Sequence, residues 1–177
     1  PQALEEYFAL GYVPEPRTIY AAARKLEPGH TLAVRRGQSL PAPRPYWDVR
    51  FTLDASIGAA DAQDELVARL RESVRLRMIS EVPLGAFLSG GVDSSAVVAM
   101  MAAESDAPVN TCSIAFADKA FDESRFAQQV ADRYRTRHFV DLVESDDFDL
   151  IDTLARTYDE PYADSSAIPT YRVCQLA

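Results

Sequence analysis

The chain contains few cysteines and almost no lysines, and each shortage excludes a class of protein. Its two cysteines, Cys112 and Cys174, are too few for a disulfide framework. Lys25 and Lys119 are the only lysines among 177 residues, and the formal net charge is −9. A chain with this charge balance has no extended basic face, so we expect no nucleic-acid partner.

Long apolar runs are missing as well. No stretch of about 18 apolar residues occurs, so we expect no membrane-spanning helix and no membrane partner. A basic start followed by an apolar region is also missing, which predicts no secretory leader and a cytoplasmic location. Apolar residues make up 47% of the chain, which is enough for a core. The length suits one domain, or one domain with part of another.

One stretch combines the features of a strand, a glycine turn and a helix start. Residues 82–88 form a short apolar run that predicts a buried parallel strand, and residues 96–103 read as an apolar helix. Between them stands Ser-Gly-Gly-Val-Asp-Ser-Ser, in which Ser94 or Ser95 is the expected helix cap. The glycines let the backbone turn sharply and approach a ligand. Free N–H groups and the helix dipole then predict an anion pocket.

A carboxylate lies inside this predicted anion pocket. No Gly-Lys-Ser/Thr follows the glycines, so the loop is not a Walker loop with a phosphate-binding lysine. Asp93 beside a phosphate is repulsive unless a divalent cation lies between them. We therefore predict Mg²⁺ bound through Asp93 and phosphate oxygens. We also expect a side chain at Gly90 to obstruct the approach of phosphate.

The same stretch resembles a known family. Residues 89–95 resemble the pyrophosphate-binding loop of the ATP pyrophosphatases, and the lead-in Glu-Val-Pro-Leu-Gly-Ala-Phe-Leu at 81–88 is similar to that of the glutamine-dependent asparagine synthetases. The resemblance implies ATP and Mg²⁺ as cofactors, with Leu88 and Ile114 on the two sides of the adenine. The nucleotide-binding residues that it implies are Leu88, Ser89, Gly90, Gly91, Asp93, Ser94, Ser95 and Ile114.

The remaining pattern predicts an α/β fold. Apolar segments at 109–116 and 137–143 read as two further strands, and helical patterns separate them. Alternating strands and helices indicate a Rossmann-like parallel sheet flanked by helices. Cys112 is then a small core residue. Exposed sheet edges would favour self-association, which leaves a homodimer open.

Apolar residues at i+4 steps from Leu66 to Met78 predict an amphipathic helix with a Glu65–Arg69 pair on its surface. Acidic residues at 122–123 open the helix after the strand at 109–116, and residues 145–147 are the expected cap of a helix that carries Phe148, Ile151, Leu154 and Tyr158. Near the start of the chain, a short helix should end at Gly11, and residues 31–35 alternate as a strand would.

The resemblance also divides the chain. Residues 1–55 are similar to the last helix and strands of a glutaminase domain plus a linker, and residues 56–177 to the first part of the synthetase domain. The family's glutaminase nucleophile is a cysteine at the mature N-terminus, whereas position 1 here is Pro1. No second glycine- and aspartate-rich loop follows. We therefore expect the chain to be an internal fragment, incomplete and poorly active by itself.

A second polar segment, Asp-Glu-Pro-Tyr-Ala-Asp-Ser-Ser at 159–166, resembles the same family. The resemblance places it on the substrate side of the cleft, with Glu160, Asp164 and Ser165 as candidates. The alternative from the residues alone is that Asp164 or Ser165 caps the helix that follows.

For the intact enzyme the resemblance implies a ligase that amidates aspartate to asparagine. An acyl-adenylate and pyrophosphate would form from ATP, and ammonia derived from glutamine would displace AMP. The catalytic residue is unknown at this stage. A related amidotransferase or a β-lactam-synthetase-like ligase acting on another acyl substrate remains an alternative. A non-catalytic nucleotide-binding piece is a second alternative for this chain alone.

Overall fold

The computed structural model describes residues 1–54, 56–143 and 150–177, and these residues form two compact units. One unit, here called the sheet unit, comprises the described residues between Ala55 and Ile151 together with Ser166–Ala177. The other, here called the N-terminal unit, comprises Pro1–Asp54 and Asp152–Ser165. Within the described ranges, no helix combines the length and the apolar character that crossing a membrane requires.

A three-stranded parallel sheet organises the sheet unit. Its strands are β3 (Gly85–Phe87), β4 (Asn110–Phe116) and β5 (Arg137–Val143), hydrogen-bonded in the order β3–β4–β5. Phe87 is in register with Cys112, which is in register with Phe139. The predicted α/β fold with a Rossmann-like parallel sheet is confirmed.

Strand β3 is shorter than the apolar run predicts. Residues 82–88 were expected to be extended in the sheet, but ladder pairing covers only Gly85–Phe87. Pro83 has no N–H to donate. Val82 is 70% exposed, and both its N–H and its carbonyl are hydrogen-bonded to the Ser80 hydroxyl. A local turn therefore replaces the first part of the strand.

Among the described residues, the helices that lie wholly within this unit are α2 (Ala59–Arg77), α3 (Val92–Ala103), α4 (Ser124–Tyr134) and α6 (Ala167–Leu176). Helix α2 follows the predicted i+4 pattern, because Val74 is buried while Leu70 and Met78 pack beside it; Leu66, by contrast, is exposed. The predicted i,i+4 pair on its surface is confirmed, with Arg69 Nε donating to Glu65 Oε1 at 2.7 Å.

The core lies on one face of the sheet. Leu88 and Val98 pack with Ala127 and Ala131 of α4, and neighbouring Ala86 packs against them. Side chains alternate along a strand, so Phe87 and its register partner Cys112 face the other way. Helix α6 packs against β4 and β5. Helices therefore flank the sheet.

The N-terminal unit contains little regular structure. Helix α1 (Gln2–Leu10) ends at Gly11, as predicted, with Gly11 in the left-handed conformation at φ 81°. The strand expected at 31–35 is reduced to a two-residue antiparallel pairing of β1 (His30–Thr31) with β2 (Arg44–Pro45). Helix α5 (Ile151–Thr157) carries the predicted apolar positions Ile151 and Leu154. The cap predicted for it at residues 145–147 lies outside the described residues.

Candidate functional site

A glycine turn connects β3 to α3, and its second glycine caps the helix. Gly90 has φ 82°, and Gly91, at φ −67° and ψ 163°, is the N-cap of α3. The predicted cap at Ser94 or Ser95 is wrong, because the helix begins at Val92 and both serines lie inside its first turn. The first N–H groups of a helix have no intrahelical partner, so this turn directs several donors toward one place.

Two serine hydroxyls close the turn. The hydroxyls of Ser89 and Ser94 are 2.9 Å apart, and the Gly91 N–H donates to Ser89 Oγ at 3.2 Å. Ser94 Oγ in turn donates to the Gly91 carbonyl at 3.2 Å. Hydroxyl groups can rotate, so each can act as donor or acceptor. The turn therefore places two adjustable polar groups beside the start of α3.

Gly90 lies directly against the start of helix α4. A Cβ built on Gly90 would lie 2.6 Å from the Ala127 backbone nitrogen and 2.6 Å from Phe126 Cβ. Both atoms belong to α4, so a side chain at Gly90 would collide with this helix; that it would also obstruct phosphate stays a prediction. In the structure, the absence of a side chain lets the start of α4 pack directly against the turn.

Leu88 and Ser113 support the turn from beneath. Leu88 is 1% exposed, and its N–H donates to the Cys112 carbonyl at 2.8 Å. The Ser113 hydroxyl, itself buried, donates to the Leu88 carbonyl. Sequence reasoning missed Ser113, because a serine within an apolar strand gives no sign of which backbone group it will meet. The buried side chain of Leu88 supports the turn, and a contact with adenine stays a prediction.

Asp93 is exposed in the first turn of α3. A carboxylate at this position stabilises the helix dipole whether or not it binds a ligand. Across the described ranges, no group of three or more His, Cys, Asp or Glu side chains could hold a metal ion. A single carboxylate still fits Mg²⁺, which is commonly bound by one or two carboxylates with phosphate and water completing its octahedron. The predicted role of Asp93 as a metal ligand stays a prediction.

A pocket of about 590 Å³, counted with its open mouth, lies at the carboxyl ends of β3 and β4. Leu88, Ser89 and Ile114 all line it, so the structure brings together three of the predicted nucleotide-binding residues. Ligands of open parallel sheets bind at this end of the strands. Sequence reasoning did not assign several other residues of the lining, namely Phe121, Glu123, Pro169, Thr170 and Val173.

The segment after β4 is held in place by Asp122. Its carboxylate accepts hydrogen bonds from the Ser124 hydroxyl at 2.9 Å and from the Phe116 N–H at 3.3 Å. These hydrogen bonds hold the pKa of Asp122 below its ordinary value, and the bonds from Ser124 contribute most. The acidic start of α4 was predicted from sequence as a helix-dipole feature. That Phe121 and Glu123 line the pocket follows from their position directly after the carboxyl end of a strand.

Burial shifts the pKa values of two titratable groups of the sheet, and one of them, Cys112, lines this pocket. Burial raises the pKa of the Cys112 thiol, as expected of a core cysteine rather than a nucleophile. His138 lies at the amino end of β5, with Nδ1 2.9 Å from the Thr111 hydroxyl. Burial lowers the pKa of His138, and among the described residues its Nε2 atom has no hydrogen-bond partner.

The predicted substrate-side residues lie in the N-terminal unit. Glu160 forms an ion pair with Lys25 at 2.8 Å, and Asp164 accepts a hydrogen bond from the Tyr162 hydroxyl at 3.2 Å. The N-cap of α6 is Ser166, so the alternative that Asp164 or Ser165 caps this helix is wrong. The substrate role of Glu160, Asp164 and Ser165 stays a prediction.

The fold and the turn define a class of protein: a parallel α/β sheet with a glycine turn and a helix N-terminus at the carboxyl ends of its strands. Comparison with known sequences gives the family. The asparagine synthase family profile matches residues 65–177. The chain therefore belongs to the asparagine synthase family, and the resemblance seen in the sequence is confirmed.

Individual relatives extend over nearly the whole chain. A putative glutamine-hydrolysing asparagine synthetase of Methanocaldococcus jannaschii is 37% identical over 186 residues, which cover 99% of this chain and 34% of the relative. Asparagine synthetase 1 of Bacillus subtilis is 30% identical over 99% of this chain and 28% of its own length. The amidase chyE of Penicillium rubens is 36% identical over 50% of this chain. The chain thus spans about a third or less of the length of these relatives.

Proposed function

We propose that the chain is part of an ATP-dependent ligase that amidates aspartate to asparagine, with ammonia derived from glutamine. The observation that carries the proposal is the serine-closed glycine turn at the start of α3, beside a pocket lined by Ser89 and Ile114. Membership of the asparagine synthase family supports a ligase-type enzyme. The names of the archaeal and Bacillus relatives support asparagine as the product.

In the proposed reaction, the aspartate β-carboxylate oxygen attacks the α-phosphorus of ATP, and the bond to the leaving pyrophosphate breaks. Ammonia then attacks the acyl carbon, loses a proton and displaces AMP. The N–H groups at the start of α3 and the hydroxyls of Ser89, Ser94 and Ser95 donate to the pyrophosphate oxygens as negative charge develops there. Mg²⁺, when bound, supplies further charge neutralisation, and Asp93 is the residue of this chain that would hold it.

The proposal assigns each part of the chain a role. Residues 1–55 would be the end of a glutaminase domain plus a linker, and residues 56–177 the first part of the synthetase domain. ATP, aspartate and ammonia would be small-molecule partners of a cytoplasmic enzyme, which leaves a homodimer open. Glu160, Asp164 and Ser165 would face the acyl substrate. No residue is assigned as general acid or base.

A second candidate is a related amidotransferase that acts on another acyl substrate. The similarity to an amidase over half of the chain favours this second candidate. Both candidates share the nucleotide chemistry of the turn and differ in the carboxylate that is activated. The two candidates are distinguished by measuring pyrophosphate release with aspartate and with other carboxylic acids as substrates. Only the first candidate predicts a preference for aspartate.

The nucleotide site is tested by calorimetric titration of the chain with ATP, with and without Mg²⁺. We expect binding that requires Mg²⁺, and Asp93→Asn should weaken it about tenfold or more. The same substitution should cost the fold less than about 1 kcal/mol, through the lost interaction with the helix dipole. Asp106→Asn, an exposed carboxylate after α3, is the matched control and should bind like the wild type. Equal affinity of Asp93→Asn and wild type would contradict the metal role. Absence of any ATP binding by the wild type would contradict a nucleotide site formed by this chain.

A further inference from the structure

The segment that carries the substrate-side candidates is attached to the start of the chain. Lys25 Nζ pairs with the Glu160 carboxylate at 2.8 Å, and the Ala163 N–H donates to the Gly11 carbonyl at 2.9 Å. Residues 152–165 accordingly belong to the same compact unit as residues 1–54. Glu160 lies within the part of the chain that matches the family profile, whereas Lys25 precedes that part. The ion pair thus joins two regions that the family match separates.

Lys25 is itself fixed in place, which distinguishes this pair from an ordinary surface ion pair. Its backbone N–H donates to the Pro16 carbonyl at 3.1 Å, and its Nζ atom also donates to the carbonyl of Val13, a fully buried residue. The side chains of Lys25 and Glu160 are 28% and 17% exposed. Long, mobile partners in water gain little from pairing. Removing one partner of a largely buried pair costs more, because the remaining charge is left without compensation.

The second anchor and a ring contact leave the segment little freedom. Tyr158 and Tyr162 stack with their ring centroids 4.6 Å apart, on either side of Glu160 in sequence. The Tyr162 hydroxyl then donates to Asp164. Glu160 and Ala163 are therefore held from outside the segment, and Asp164 follows directly after the second anchor. A substitution at Lys25 should therefore alter the positions of Glu160, Asp164 and Ser165 together.

We propose that Lys25 is a positioning residue, which fixes the Glu160 carboxylate and with it the 158–165 segment. This inference rests on the proposed function, since it takes the segment to face the acyl substrate. Lys25 acts through Glu160 and does not contact substrate. It follows that the geometry of the acyl-substrate side of the ligase is set by the part of the chain that precedes the synthetase domain.

Hydrogen exchange tests the positioning without requiring activity. In the Lys25→Met variant, which keeps the apolar stem, we expect amide exchange in residues 158–165 to be about tenfold faster, while β4 keeps its protection. Lys25→Arg should restore most of the protection, because it restores the charge. Lys119→Met replaces the other lysine of the chain, which is exposed, and is the matched control. Unchanged exchange in Lys25→Met would overturn the proposal.

Kinetics separates positioning from general loss of structure. Pyrophosphate release is measured with ATP, Mg²⁺, aspartate and an ammonium salt, on the intact enzyme of which we propose this chain is a part. Lys25→Met and Glu160→Gln should each raise KM for aspartate about tenfold and leave KM for ATP within about twofold, whereas partial unfolding would lower kcat alone. An unchanged aspartate KM in an active Lys25→Met enzyme overturns the inference. A wild type that releases no pyrophosphate contradicts the proposed function instead, and hydrogen exchange then decides whether Lys25 fixes the segment.

Discussion

The sheet unit and the N-terminal unit are stabilised in different ways. In the sheet unit, buried apolar residues such as Leu88, directly after β3, Val98 of α3 and Val74 of α2 form two packed clusters. Among residues 1–54 and 152–165, Val13 is the one buried residue. Large apolar side chains there stay exposed, among them Phe8, Trp47, Phe51 and Leu53.

Polar contacts take the place of a core in the N-terminal unit. Arg17 Nε donates to Glu6 at 2.8 Å, Lys25 pairs with Glu160, and the Thr18 hydroxyl donates to the Tyr20 carbonyl at 2.9 Å. Hydrogen bonds and ion pairs depend on direction, whereas apolar burial does not. From this comparison we expect the sheet unit to tolerate substitutions of surface polar residues and to be destabilised by substitutions that leave a cavity. The N-terminal unit should respond mainly to the loss of individual polar partners.

The largest effect is expected from a cavity in the sheet unit. Leu88→Ala removes a side chain that is 1% exposed, and we expect the free energy of unfolding of this unit to fall by about 4 kcal/mol. Leu53→Ala, at a fully exposed leucine of the N-terminal unit, should change the free energy of unfolding by less than about 0.5 kcal/mol. Urea denaturation followed by circular dichroism measures both. Similar losses in the two variants would remove the distinction between the units.

The next effect separates backbone strain from packing. Gly90→Ala should cost about 3 kcal/mol, because it adds a left-handed alanine and places Cβ against the backbone of α4. Gly37, in the N-terminal unit, has almost the same φ, +80°, and nothing within 4 Å of an added Cβ. Gly37→Ala should therefore cost about 1 kcal/mol, from strain alone. If thermal unfolding shows equal costs, the packing of the turn against α4 is not what requires Gly90.

The smallest effect concerns pH. Burial holds the pKa of His138 below its ordinary value of 6.5, so this ring takes up a proton at lower pH in the folded sheet unit than in the unfolded chain. The unfolded chain takes up the proton first as pH falls below about 6.5, and stability is then lost until the folded pKa is reached. His138→Gln should flatten this part of the curve of unfolding free energy against pH. Equal slopes for wild type and variant between pH 7 and pH 5 would show that His138 does not contribute.

Local sequence predicted the parts of the site that depend on local chemistry. The glycine turn and its place between a strand and a helix follow from patterns within a few residues of each element, whereas the place of Ile114 near the turn was implied by the family resemblance. The helix cap was predicted at the wrong residue, because Ser94 and Ser95 are good caps by type but Gly91 has the extended conformation at that point. The first part of β3 was overpredicted, because Pro83 and the Ser80 turn outweigh the apolar pattern.

Contacts between distant segments were not accessible to the same reasoning. The hydrogen bond of Ser113 to the Leu88 carbonyl joins residues 25 positions apart, and no local pattern marks which backbone oxygen a strand serine will meet. The reason for Gly90 likewise lies in α4, more than thirty residues later. The attachment of residues 152–165 to the start of the chain is the longest such contact, and the division predicted at residue 55 did not include it.

The sequence by itself determined the α/β class, the parallel strands, the glycine turn and the family, because hydrophobic periodicity and turn chemistry are properties of neighbouring residues. The tertiary structure alone decided which residues surround the turn, why Gly90 has no side chain, and that Lys25 holds Glu160. Each of these features depends on a contact between two segments that are distant in sequence. The free energy of such a contact is a property of the packed chain rather than of either segment.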